Sequence, residues 1–183
     1  MVVATGGPAV ARAALRSGKK AIVGGPGNPP VLVDETADLE KAARDIMAGA
    51  CLDNTILCIA EKTIVVVEAV REALLGAMRA RGAVVLSARE VPGLTRLLVR
   101  DGHLEPRFVG QDAAVILGEL GAFGLRPGRD APRAILFETG PDHPLVQMEQ
   151  LLPVIPVVTV PGFEEGVRVA REVEHGFGHT AII

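Results

Sequence analysis

The sequence predicts an α/β domain with a mostly parallel sheet flanked by helices, and three observations carry that prediction. Short β-branched runs recur along the whole 183 residues. Several are apolar throughout, as strands covered on both faces are. Amphipathic helical stripes alternate with them, the pattern that builds a parallel sheet.

Taken in order, the first run is 2–4, followed by "GG" and a helix in "VVATGGPAVARAA". Runs at 21–23 and 31–33 flank "GGPGNPP", a segment too rich in Gly and Pro for either regular element. A helix is expected to open at Thr36, a good N-cap, with Asp38 and Glu40 meeting the positive end of its dipole. Leu39, Ala42, Ala43, Ile46, Met47 and Ala50 then form one apolar stripe, and Cys51 continues its phase into the core. The run 64–67 leads to a second stripe of Val70, Ala73, Leu74, Ala77 and Met78. Runs follow at 84–86, 134–137 and 154–160, then a third stripe of Phe163, Val167, Ala170 and Val173, and a last run at 180–183. "GELGAFGLRPGRDAP" reads as a surface connection. The chain starts inside a strand pattern and stops at "HTAII", so it is expected to be a piece of a longer protein.

Composition narrows the function. A chain of this length buries roughly 70% of its unfolded surface, and with 49% apolar against 22% charged residues disorder is excluded. The net charge of −3 supplies no basic footprint, so no nucleic-acid partner is expected. No apolar run approaches the ~20 residues that span a bilayer, so no membrane partner is expected either. "MVVATGGPAV" has neither the basic region nor the apolar core of a signal peptide. Two cysteines make no disulfide framework, and a reducing cytoplasm is the expected compartment.

Several positions are candidates for chemistry. Thr5, Gly6 and Gly7 lie on a strand-to-helix turn that would admit a phosphate, although a plain turn has the same pattern. "GGPGNPP" is a rigid loop at a strand end, either a ligand site or a structural turn. Cys58 follows Asp53 and Asn54 on a polar loop, whereas free cysteines are more often core. Its six-residue spacing from Cys51 does not suit zinc. His175 and His179 are half a metal site at best, because two glycines lie between them, and no metal is expected. His143 precedes Pro144 and is expected to open a helix carrying Glu149, and His103 falls in a polar loop.

Four stretches, "ATGG", "GPGNPPVLVDETADLEKAARDI", "DNTILCIAEK" and "HPLVQMEQLLPVIPVV", resemble the aldehyde dehydrogenase superfamily, and most closely its CoA-acylating acetaldehyde and propionaldehyde branch. The resemblance covers nearly the whole chain. It implies that residues 1–183 are the catalytic domain, with 1–7 matching the last strand and loop of a cofactor domain. It places Cys58 at the catalytic thiol, whose attack on a small aldehyde leads through hydride transfer to an enzyme thioester that coenzyme A, as co-substrate, takes over. Thr5, Gly6 and Gly7 match the loop over the NAD phosphates and nicotinamide, and Glu149 matches the carboxylate that holds the nicotinamide ribose. The backbone N–H of Cys58 is the implied oxyanion donor. Hydrolytic members carry a glutamate that activates water, and counting back from "ADLEKA" puts that position on Gly24. The resemblance further implies a homo-oligomer at full length, located in the cytoplasm or inside a bacterial microcompartment. Two alternatives stand beside it: a hydrolytic aldehyde dehydrogenase, and a truncated, non-catalytic fragment acting only in assembly.

Overall fold

A computed structural model of the chain describes residues 1–121 and 131–183. Strand β1 (Val2–Thr5), helix α1 (Pro8–Arg16) and strand β2 (Ala21–Gly24) form a small unit whose two strands pair in parallel with each other, Val2 against Ala21 through Thr5 against Gly24. Neither joins the main sheet. Val3 and Ile22 are register partners, 67% and 53% exposed, so one face of this pair is open and apolar.

The main body begins with β3 (Pro30–Val33), α2 (Leu39–Ala50), β4 (Thr63–Val67), α3 (Glu68–Arg79) and β5 (Ala83–Val85). It continues through α4 (Val91–Leu98), a short antiparallel pair β6 (Val99–Arg100) and β7 (His103–Leu104), and α5 (Ala113–Leu120). It ends with β8 (Ala134–Glu138), the single turn α6 (Pro144–Gln147), β9 (Val154–Val160) and α7 (Phe163–Val173). Five strands make one parallel sheet in the order β3-β4-β9-β8-β5. All five residues of β4 are buried, which is why its sequence shows no alternation. On one face, Val31, Val33, Ile64, Val66, Leu136 and Val157 meet Ile46, Met47, Leu74 and Met78 of α2 and α3. On the other, Leu32, Val65 and Val158 meet Val169 and Val173 of α7, while Ile135, Phe137 and Val154 meet Leu94, Ile116 and Leu117 of α4 and α5. This is the predicted α/β class with helices on both faces.

The details differ in informative places. The N-cap of α2 is Asp38, which accepts from the Lys41 N–H at 3.0 Å, and not Thr36. Asp34 has captured Thr36, accepting from both its N–H at 2.9 Å and its hydroxyl at 2.6 Å in a local turn. Asp38→Ala should therefore cost about 1 kcal/mol of stability in urea unfolding, and Thr36→Ala clearly less. On α7 the buried positions are Gly166, Val169 and Val173, and Phe163 points outward at 39% exposed. Gly166 packs under Leu32, whose Cδ1 lies 2.5 Å from where a Cβ would be. The expected strand at 180–183 reduces to one parallel bridge, Ile182 beside Val31. His103 lies in β7 rather than a loop, and Glu149 falls beyond the end of α6. Of the expected surface connection, 118–120 close α5, and 122–130 lie outside the described residues.

Candidate active site around Cys58

Three loops converge at the amino ends of β3, β4 and β9: the 25–29 loop, the 51–62 loop that carries Cys58, and the 148–153 segment that carries Glu149. Open parallel sheets usually place ligands at the carboxyl ends of their strands. Here the chemistry-bearing residues gather at the opposite edge of the main sheet.

The 25–29 loop is rigid because Asn28 anchors it. Its side chain is 1% exposed, and its Nδ2 donates to the carbonyls of Val146 at 2.8 Å and Val173 at 2.7 Å, tying the loop to α6 and the end of α7. Gly27 lies against the Cys58 turn. A Cβ there would sit 2.8 Å from the Cys58 carbonyl oxygen and 3.1 Å from the His179 ring. Gly27→Ala should thus displace the turn at a cost of about 1–3 kcal/mol, read as a lower unfolding midpoint together with an altered iodoacetamide labelling rate of Cys58.

The approach to Cys58 has an unusual backbone. Asp53, Asn54 and Thr55 are consecutive left-handed residues, with φ of 50°, 51° and 67°. Asp and Asn tolerate that region, but a β-branched Thr does so only when its surroundings hold it there. They do. The Thr55 hydroxyl donates to the Ala50 carbonyl, and the Asn54 Nδ2 donates to the Gly110 carbonyl at 3.0 Å and the Asp112 carboxylate at 2.8 Å. Cys58 then sits half-buried in a turn closed by the Ala60 N–H on the Leu57 carbonyl at 3.1 Å. Ile56 and Ile59, 42% and 60% exposed, give the turn an apolar rim. Cys51, half-buried like Cys58, caps α2 and packs against the edge of the core rather than within it, and burial pushes its thiol pKa up.

Glu149 is half-buried and stands next to Gln150, whose backbone carbonyl accepts from the Lys62 Nζ at 2.8 Å. The same Nζ donates to the Thr55 carbonyl at 2.6 Å. Lys62 is fully buried, and burial pushes its ammonium down to about 8 against the pull of Glu149 and Cys58. Lys62 closes the stretch "DNTILCIAEK", and its sequence signal is a charged pair, Glu61 and Lys62, set directly against a fully buried strand.

Thr5, Gly6 and Gly7 end β1 and enter α1, away from the main sheet. Gly6 has φ +151°, where a side chain is strained, and its N–H donates to the Gly24 carbonyl at 3.3 Å. Gly24 is the register partner of Thr5, so the glycine loop and the expected water-activating position are adjacent. His175 is hydrogen-bonded to the Gln147 carbonyl at 3.0 Å, and His179 to the Thr180 hydroxyl at 2.9 Å. Among the described residues no group of three or more His, Cys, Asp or Glu is placed to hold a metal ion. His143 caps α6 through Nδ1 and stacks edge-on against Phe137 at 5.1 Å. A cavity of 520 Å³ beside α7 is lined by His179, Thr180 and Ile182 but not by Cys58. No helix among the described residues is long and apolar enough to cross a membrane.

Comparison with known proteins gives a consistent result. The model of the aldehyde dehydrogenase family matches residues 1–87. A CoA-propanoylating propanal dehydrogenase of Citrobacter freundii is 42% identical over 179 residues, 98% of this chain and 38% of the relative. A propionaldehyde dehydrogenase from the Clostridium phytofermentans fucose utilisation bacterial microcompartment superposes with TM-score 0.89 at 40% identity, covering 98% of this chain and 40% of that one. The Rhodopseudomonas palustris propionaldehyde dehydrogenase, solved with bound CoA and an acylated cysteine, superposes with TM-score 0.89 at 39% identity, covering 98% and 40%. The chain therefore spans about two fifths of the length of these relatives, between 38% and 40%.

Proposed function

We propose that this chain, which belongs to the aldehyde dehydrogenase family, is the thiol-bearing part of an enzyme that converts a short-chain aldehyde, acetaldehyde or propionaldehyde, with NAD and CoA into the acyl-CoA. The observation that carries the reading is Cys58 itself: half-buried on an apolar-rimmed turn, and tied through Lys62 to the segment bearing Glu149.

The residues suit a nicotinamide cofactor in two places. Glu149 offers a carboxylate for ribose hydroxyls at the thiol's side of the sheet, and a Cβ at Gly7 would meet nothing within 4 Å, leaving backbone open to a phosphate. Cys58 Sγ, as thiolate, attacks the aldehyde carbon to form a thiohemiacetal. The backbone N–H of Cys58 donates to the developing oxyanion. Bound NAD supplies the hydride acceptor that makes the adduct a thioester. CoA thiolate then takes the acyl group and releases Cys58. Gly24 supplies no carboxylate for activating water, which favours thiolysis over hydrolysis.

The resemblance assigns residues 1–7 to the cofactor domain, and we extend that assignment through α1 and β2, since β1 and β2 pair only with each other. The complete protein is a cytoplasmic homo-oligomer, and the Clostridium phytofermentans relative supports a microcompartment as its location. The test is NADH formation from propanal by the complete parent protein, with and without CoA. CoA-dependent reduction supports the reading, and equal rates in both arms overturn it.

A further inference from the structure

Lys62 has no role in the reaction as described, yet it is a charged side chain held wholly inside the protein near the thiol. Its side chain is fully buried, and its two partners are backbone carbonyls, of Thr55 at 2.6 Å and of Gln150 at 2.8 Å. One belongs to the loop that delivers Cys58, the other to the segment that delivers Glu149. A second tie runs in parallel. The Asn54 side chain donates to the Gly110 carbonyl, and the Gly110 N–H donates to the Leu151 carbonyl at 2.8 Å. The two routes close a ring of hydrogen bonds through residues 54–55, 62, 110 and 150–151.

Burying an ammonium carries a large desolvation cost that two neutral carbonyls offset only in part. The arrangement makes sense where a distance matters. We infer that Lys62 is a positioning residue: it sets the separation between the Cys58 turn and the Glu149 segment, and through it the register of the thiol against the nicotinamide ribose. This rests on the proposed function. Its consequence falls on hydride transfer, because the aldehyde is held on Cys58 while the cofactor is held by Glu149. Burial, which lowers the Lys62 pKa, and the opposing fields of Glu149, Cys58 and Glu61 belong to the same cluster.

The experiment uses the complete parent protein with Lys62→Met, and with Lys62→Gln, which keeps two N–H donors on a shorter arm should the methionine variant fail to fold. Two readouts are taken. The first is hydrogen–deuterium exchange of segments 52–60 and 148–152 in the cofactor-free protein. The second is the deuterium isotope effect on kcat with propanal and 1-deuteropropanal at saturating CoA. Exchange should rise in both segments together, while α3 and β8 stay protected. kcat should fall roughly 100-fold, as a displacement of about 1 Å does, with a larger isotope effect because hydride transfer becomes limiting. In the Glu149→Gln background the Lys62 substitution should cost much less, since both act through one register. Wild-type exchange with an unchanged isotope effect overturns the inference. So does a slow variant whose exchange rises throughout the chain, or whose loss simply adds to that of Glu149→Gln. A wild type without CoA-dependent reduction, or a Cys58→Ala variant that keeps it, instead overturns the proposed function on which the inference stands.

Discussion

Cys58→Ala in the complete protein lowers CoA-dependent NADH formation from propanal by about 10⁴-fold or more, while Cys51→Ala leaves the rate near wild type. The nucleophile cannot be replaced by its neighbours: the turn residues Leu57, Ile59 and Ala60 have no nucleophilic side chain, and the second thiol is spent on packing. Losing Cys58 should hardly touch stability, because it lies half-buried on a surface turn whose closing hydrogen bond is made by backbone. Losing Cys51 should cost about 1 kcal/mol, since it packs against the α2–α3 side of the core. Iodoacetamide labelling followed by mass spectrometry separates the two thiols independently of turnover, with Cys58 modified and Cys51 protected. If Cys58→Ala keeps a rate within tenfold of wild type, the thiol is not the nucleophile and the reaction proposed here fails.

The fold was largely legible because a parallel sheet covered on both faces writes its strands as unbroken apolar runs. Residues 31–33, 64–67, 134–137 and 154–160 all fall within strands of the main sheet. Legibility failed where the deciding partner was remote or had no side chain. The run 180–183 has the right composition for a strand, but among its residues Ile182 alone pairs with a strand, beside Val31. On α7 the expected stripe holds at Val173, which is buried, and at Val167, which packs on the core, but Phe163 lies outside it and Gly166, which Leu32 covers, carries no hydrophobic signal. The cap of α2 moved from Thr36 to Asp38 because Asp34 competes for Thr36 two residues away.

The site divides in the same way. Cys58 and Glu149 stand in local motifs and could be proposed one at a time. That they are tied to each other could not, because the tie is Lys62, whose carbonyl partners lie seven residues before it and 88 after it. Nor does any local pattern tell which edge of the sheet the loops share. The 25–29 loop follows β2 and precedes β3, and because β2 pairs only with β1, outside the main sheet, the one edge of the main sheet that this loop serves is the amino end of β3.

Without CoA, the complete protein should release a burst of about one NADH per thiol and then slow at least about 100-fold relative to the CoA-supported rate. The burst follows from the covalent step: reduction precedes acyl release, so each thiol turns over once and is then held as the thioester. The slow phase is expected from Gly24. A general base contributes about 10²–10⁴-fold to the attack of water, and the position that the resemblance aligns with the water-activating glutamate of hydrolytic members is a glycine. The nearby carboxylates are committed elsewhere: Glu61 packs against Gly49 on α2, and Glu149 neighbours the Lys62 tie. Gly24→Glu is the constructive arm. Gly24 is not in the left-handed region, and a Cβ there meets only the Thr5 side chain, at 3.3 Å from Cγ2, so the change asks that methyl to move by a few tenths of an ångström. The variant should raise the CoA-free steady rate by about tenfold or more while the burst stays at one equivalent. A wild type that turns over without CoA as fast as with it has found another base, and the thiolysis reading is wrong. A wild-type burst that Gly24→Glu cannot relieve means instead that Gly24 does not face the thioester, and the order of the reaction stands while the residue assigned to its selectivity does not.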